Sequence, residues 1–176
     1  EGSKSWFEAV ASVYDVPQER VQQILELPYQ RAKRALAPHR AKLEGKRVHF
    51  LPDSQLEIPM ARFLSEECGL EVSEIGTPFH DQLVMQGELA RLAKDVSIVE
   101  GQDLDPALAR VRESRPDLTV CGMGIANALE SEGLRTKWSI ELVFSPVQGF
   151  DQAGDLAALF AKPLVRQDIL EVGSWS

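Results

Sequence analysis

From Lys46 onward, short apolar runs alternate with segments of helical spacing. Arg47-Val48-His49-Phe50-Leu51 predicts a first strand, stopped by Pro52-Asp53. Met60-Ala61-Arg62-Phe63-Leu64 belongs to the next helix, which ends at Cys68-Gly69, where glycine suits a left-handed terminus. Leu70 to Ile75 predicts a second strand, closed by Gly76 and Pro78, and Val96 to Val99 a third. Between them Leu83 to Leu92 reads as a helix weakened by Gly87. Asp105-Pro106 then reads as a cap followed by a first-turn proline, and Arg115-Pro116 ends that helix. Leu118 to Cys121 predicts a fourth strand that runs into Gly122-Met123-Gly124. Asn127 and Glu130 read as caps of a short helix ending near Gly133. Trp138, Ile140, Leu142 and Phe144 alternate with Lys137, Ser139, Glu141 and Val143, as in a half-buried strand. Asp151 to Ala161 carries Leu156, Leu159 and Phe160 in a closing helix.

The first 45 residues follow another pattern. Ser5 stands three residues before Glu8 and predicts a capped short helix. Pro17 opens a second, with Val21, Ile24, Leu25, Tyr29, Ala32 and Leu36 near helical spacing. Pro28 and Pro38 interrupt it, which predicts a kinked or segmented helix. Seven of the 19 bases lie between Arg31 and Arg47, with Glu44 the only acid there. Such a cluster is either a solvated helix face, the simpler reading, or a surface that meets an acidic partner.

Strand starts recur at about 19 to 26 residues, the length of one strand plus one crossover helix. The predicted fold class is therefore α/β: a doubly wound, Rossmann-like parallel sheet with an N-terminal helical segment. The expected organisation is a helical lead-in over 1–45, the α/β domain over 46–165 and a C-terminal tail over 166–176. Composition fits: 176 residues, 44% hydrophobic, are enough for a real core. No apolar run approaches the ~18 to 20 residues that span a bilayer. A net charge of -8 argues against non-specific nucleic-acid binding. Two cysteines exclude a four-cysteine metal site within these residues. The chain opens on Glu1 rather than methionine, which raises the expectation that it is a piece of something longer.

In such a sheet ligands bind beyond the carboxyl ends of the strands. The loops there are 52–59, 76–81, 100–105, 122–127 and 145–149. Gly122-Met123-Gly124-Ile125-Ala126-Asn127 begins like a dinucleotide fingerprint, but Asn127 replaces the third glycine and the segment follows the fourth strand. A tight strand-to-helix turn explains these glycines better than a nucleotide does. No P-loop is present, so these residues should not hydrolyse ATP. His49, inside a strand, reads as a buried histidine, and His80 beside Asp81 is an acid/base candidate. Cys121 reads as a core residue. Cys68 ends a helix, where the dipole disfavours a thiolate. Two loops stand out: 52–59, where Ser54 and Glu57 have capping-box spacing, and Arg135-Thr136-Lys137-Trp138-Ser139, where a cation and a large ring enter the last strand.

Long strings in this order carry a resemblance. Pro52-Asp53-Ser54-Gln55-Leu56-Glu57-Ile58-Pro59, Glu100-Gly101-Gln102-Asp103, Thr119-Val120-Cys121-Gly122, Thr136 through Phe144 and Gln152 through Ala157 resemble the N subunits of dark-operative (light-independent) protochlorophyllide reductases, within the nitrogenase-like component 1 superfamily. The resemblance implies an iron-sulfur oxidoreductase of chlorophyll or bacteriochlorophyll synthesis. Two N and two B subunits would form a heterotetramer. A 4Fe-4S cluster would pass electrons to ring D of protochlorophyllide, and a transient L-subunit dimer, with ATP and magnesium, would supply them. The family's cluster ligands from this subunit are cysteines that Cys68 and Cys121 do not match. This implies a carboxyl-terminal portion, inactive alone, with no catalytic residue and no metal ligand of its own. A macrocycle needs aromatic and apolar walls. The implied substrate-binding residue is Trp138, with Lys137 and Leu134 beside it. Neither a membrane span nor nucleic acid is implied, and the implied compartment is the cytoplasm of a phototrophic bacterium or a chloroplast stroma. Rival readings are the Y subunit of chlorophyllide reductase, a nucleotide-binding Rossmann module, and a non-catalytic assembly domain.

Overall fold

A computed structural model describes residues 1–145 and 148–171, with side chains through Arg166 in the last helix. Two helices lead: α1 (Gly2–Val13) and α2 (Gln18–Leu43). Then follow β1 (Arg47–Phe50), α3 (Glu57–Arg62) continued by a π turn (Phe63–Glu67), β2 (Glu71–Thr77), the single turn α4 (Gln86–Leu89) and β3 (Ser97–Glu100). The second half holds α5 (Leu104–Ser114), β4 (Leu118–Cys121), α6 (Met123–Ser131), β5 (Thr136–Trp138), α7 (Ile140–Phe144) and α8 (Ala153–Glu171).

The five strands form one parallel sheet in the order β3-β2-β1-β4-β5. Chain order reverses between β1 and β4, so the sheet is doubly wound and its switch point lies between those strands. Alternation in the central strands divides the core. Val48, Phe50, Leu118 and Val120 join Leu36, Leu43, Ile58, Leu156 and Phe160 on the face covered by α2, α3 and α8. Leu51 and Cys121 join Ala107, Val111, Ala126, Leu129 and Leu134 on the face covered by α5 and α6. Strands buried on both faces read as continuous apolar runs, which is why β1 and β4 were legible.

Several boundaries correct the sequence reading. α1 starts at Gly2, so Ser5 lies inside the helix and caps nothing; α1 makes no side-chain cap bond. α2 carries Pro28 and Pro38 within a single 26-residue helix. Its buried stripe of Val21, Leu25, Ala32, Leu36 and Leu43 holds it together despite two missing N–H donors. The expected helix over 83–92 shrinks to α4, because the Asp81 carboxylate accepts from the Leu83 and Val84 N–H groups in a turn. Asp103 rather than Asp105 occupies the cap position of α5, which ends at Arg115 as expected, with that residue in a left-handed conformation. α6 starts at Met123, so Asn127 is interior to it.

The last expected strand changes most. β5 stops at Trp138, and the Leu142 N–H reaches the Ser139 carbonyl at 3.0 Å, starting α7. Leu142 is buried while Ile140 and Phe144 are exposed, as the turn of a short helix requires. α8 runs past Ala161 through Glu171. In the 145–149 loop, Pro146 and Val147 lie outside the described residues, as do 172–176 of the expected tail.

Candidate functional site

At the switch point, the loop after β1 folds over the carboxyl end of the sheet and satisfies its own polar groups. Glu57 is buried, and its Oε1 accepts from the Asp53 N–H at 3.2 Å, the Ser54 N–H at 2.5 Å and the Ser54 hydroxyl at 3.0 Å. Its Oε2 accepts from the Thr77 hydroxyl at 3.1 Å, which ties β2 to the same loop. Ser54 and Glu57 thus pair as their spacing predicts, although the carboxylate serves the preceding loop more than a helix start. A buried carboxylate survives only with such partners.

Asp53 turns the other way. Its carboxylate accepts from the Ser139 hydroxyl, at the end of β5. The Ser139 N–H donates to the Cys121 carbonyl at 3.0 Å, so three chain segments meet beside Gly122. A Cβ on Gly122 would stand 2.6 Å from Asp53 Oδ1, so a side chain there must displace that carboxylate. A Cβ on Gly124 would meet nothing within 4 Å. The Asp53 carboxylate also puts negative charge where a nucleotide phosphate would need donors, which counts against the dinucleotide reading of this turn.

A second feature runs along the outer edge of β5, which among the described residues pairs only with β4. A pocket of about 1090 Å³ lies there, and Trp138, Lys137 and Leu134, the three residues singled out from sequence, all line it. It flanks the sheet rather than sitting in the switch-point crevice. Trp138 is half-buried and packs with Ile125 against the second core cluster. Leu134 is buried in that same cluster. Lys137 points to the opposite face, beneath α8, and is 4% exposed. Burial lowers its pKa to about 8, and the like charge of Lys162 acts in the same direction. The Glu141 carboxylate in contact with its Nζ works against both. The rest of the wall is mixed: Leu159, Pro163 and Val165 are apolar, while His39, Lys42, Lys162 and Arg166 are basic.

The remaining candidates fall into structural roles. His49 is buried in β1, and burial lowers its pKa, with the Arg110 charge adding and Glu74 opposing. His80 Nδ1 lies 3.0 Å from a Glu100 carboxylate oxygen, which brings the loop after β2 beside the end of β3. Burial pushes the Cys68 and Cys121 thiols up to about 12. These cysteines belong to different core clusters on opposite faces of the sheet, so they do not fit a shared iron-sulfur cluster. Among the described residues no three His, Cys, Asp or Glu side chains are grouped as a metal site. No described helix is long and apolar enough to cross a membrane.

Sequence reasoning missed Thr77 and the Ser139–Asp53 contact; neither has a local signal. It also missed the basic wall, although Lys42 belongs to the cluster noticed between Arg31 and Arg47. At the carboxyl end of the sheet, Met123, Val143 and Phe144 are exposed, Phe144 by 82%. Large apolar side chains in such number beside strand ends are a feature of interaction surfaces.

Comparison with known proteins gives this architecture a context. The light-independent protochlorophyllide reductase subunit N of Halorhodospira halophila is 58% identical over 172 residues, covering 98% of this chain and 41% of that protein. Its counterpart of the same name in Synechococcus sp. (strain CC9605) is 56% identical over 173 residues, with the same shares. That of Acidiphilium rubrum is 53% identical over 172 residues. The chain therefore spans about two fifths of the length of these relatives. Among solved structures, one described as nitrogenase Cp1 at pH 5 superposes with a TM-score of 0.79 at 12% identity, covering 98% of this chain and 42% of that one. Another, nitrogenase Cp1 at pH 6.5, gives 0.75 at 14% identity, and both likenesses concern the fold alone. A family profile for nitrogenase component 1 type oxidoreductases matches residues 1–164, and the chain belongs to that family.

Proposed function

We propose that this chain is the carboxyl-terminal portion of an N subunit of light-independent protochlorophyllide reductase. The observation that carries the reading is the 58% identity to such a subunit over 98% of the chain. In this reading, residues 46–165 form the last α/β domain, 1–45 lead into it and 166–176 form its tail. The whole enzyme reduces ring D of protochlorophyllide, working in the cytoplasm of a phototrophic bacterium or in a chloroplast stroma. A B subunit completes the heterotetramer, and an L-subunit dimer delivers electrons at the expense of ATP bound with magnesium. A 4Fe-4S cluster supplies the electron relay when present, and its ligands lie outside these residues. The exposed Met123, Val143 and Phe144 support a role for the carboxyl end of the sheet in assembly.

This portion contributes binding rather than acid, base or electron chemistry. Trp138 offers an indole face at the pocket along β5, with Leu134 and Lys137 further along the same edge. A flat, apolar macrocycle placed there loses water-exposed surface against the ring and the aliphatic wall. The chain alone is inactive in this reading.

The test is Trp138→Ala in the full-length subunit, assembled with its partners. Loss of an aromatic wall is worth roughly 1–2 kcal/mol, so protochlorophyllide affinity should fall about tenfold while assembly on a sizing column stays intact. Normal dark reduction together with normal affinity would make Trp138 a packing residue and overturn the site assignment.

A further inference from the structure

We infer that the outward face of α1 is an interdomain surface, covered in the intact subunit by the part of the same polypeptide that lies outside these residues. The inference rests on the reading of the chain as one portion of a longer N subunit. α1 carries its polar stripe inward and its apolar stripe outward. Lys4 and Glu8, the only ionisable side chains between Gly2 and Val13, are half-buried. The Lys4 ammonium stands 5.8 Å from the ring centre of Tyr29 on α2 and 3.9 Å from the Glu8 carboxylate. Trp6, Ala9, Val10 and Val13 recur at the spacing of one helix face. Trp6 is 61% exposed and Val13 77%, and Tyr14, directly after the helix, is 75% exposed. No residue of α1 is buried.

Such a helix is poorly held by what it touches. Twelve residues are marginal as an isolated helix. The ring contact of α1 with the α/β domain is Phe7 stacked on Phe150, with centres 6.2 Å apart. An indole, a phenol and a valine left together in water form a patch of the kind that marks an interface. What covers it follows from the length of chain outside the structure. The relatives match this chain over 98% of its length, yet about three fifths of their own length lies beyond the match. In a carboxyl-terminal portion the rest of the subunit enters through Glu1, at the foot of this face. A segment tethered there meets the face at an effective concentration on the order of mM, whereas a separate chain must find it by diffusion. A second copy would also bring one net charge of -8 against another.

The experiment is hydrogen exchange of the α1 amides in the full-length subunit, produced without its partners. The expected result is slow exchange that does not change on dilution. In Trp6→Gln/Val13→Gln, exchange over α1 should be about a hundredfold faster, the effect of no longer burying one large apolar side chain. Trp6→Leu/Val13→Leu keeps the face apolar and should stay within about tenfold of the unaltered subunit. Equal exchange in the unaltered and Gln forms overturns the inference, because the face is then uncovered within the subunit. Protection that disappears on dilution assigns the face to a second copy, and protection that arrives only with the B subunit assigns it to that partner. Either result overturns the inference as well. Should the Gln variant fail to fold, the unaltered subunit decides alone, since fast exchange over α1 before any partner is added is also an overturning result. Dark reduction by the assembled enzyme, assayed separately, tests the functional reading and leaves the exchange result untouched.

Discussion

Ser139 donates its hydroxyl proton to the carboxylate of Asp53, 86 residues earlier in the chain, and so joins the end of β5 to the loop after β1. β1 and β5 are not neighbours in the sheet; β4 lies between them. The contact therefore spans the switch point and holds the outermost strand in place from its carboxyl end. Ser139→Ala removes a buried donor and leaves the carboxylate of Asp53, an exposed residue, to be met by water instead. The expected loss is about 0.5–1.5 kcal/mol in urea unfolding. An unchanged midpoint would mean that water replaces the hydroxyl without cost.

Gly122 and Gly124 should respond in opposite directions to the same substitution. Gly122→Ala puts a methyl 2.6 Å from Asp53 Oδ1 and must displace the carboxylate that Ser139 holds. Gly124 lies in the first turn of α6 with open space around it, so Gly124→Ala gains helix propensity, up to about 1 kcal/mol. Thermal unfolding of the two single variants measures the contrast. A Gly122→Ala chain as stable as Gly124→Ala would show that Asp53 moves aside freely.

Both thiols should be silent in the folded chain. Cys68 and Cys121 have no exposed surface, and burial pushes their pKa values up to about 12. At pH 7 the reactive thiolate is then on the order of one part in 10⁵, and no reagent reaches it. Labelling with a thiol reagent should be negligible in native buffer and reach two equivalents in urea, with a midpoint that tracks unfolding. Rapid labelling of either cysteine under native conditions would place it outside the core.

What the sequence disclosed follows the range of the forces involved. β1 and β4 are buried on both faces, so four or five apolar-rich residues announced each of them. Ser54 and Glu57 are three residues apart, and their pairing was legible for that reason. The stretch from Ile140 to Phe144 was misread because five residues are too few to separate a period of two from one of 3.6. Lys137 read as an outward-facing member of an alternating strand. It is buried because α8, more than 15 residues later, lies across that face of β5. The Ser139–Asp53 contact and the basic wall of the β5 pocket both join segments remote in sequence, and only the fold brings them together.

His49 makes the stability of the chain depend on pH near neutrality. It sits between Glu74 of β2 and Thr119 of β4 in the strand register, 1% exposed. Glu74 is engaged by Arg110, whose Nε lies 2.8 and 2.9 Å from the two carboxylate oxygens, and the imidazole Nε2 stands 3.5 Å from the nearer of them. Burial holds the folded pKa of His49 below its ordinary value near 6.5, the Arg110 charge reinforces this, and Glu74 opposes it. The sign follows. Above about pH 6.5 the imidazole is neutral in both states and its contribution is fully present. As the pH falls through that value, the unfolded chain takes up a proton that the folded chain refuses, and stability is lost until the folded pKa is reached. The slope from this one group is at most about 1.4 kcal/mol per pH unit. Urea unfolding of the unaltered chain should therefore weaken between pH 7 and pH 5 more steeply than that of His49→Gln, which has nothing to titrate there. Parallel pH profiles for the two proteins would show that Glu74 offsets burial fully and that His49 accepts a proton as readily folded as unfolded.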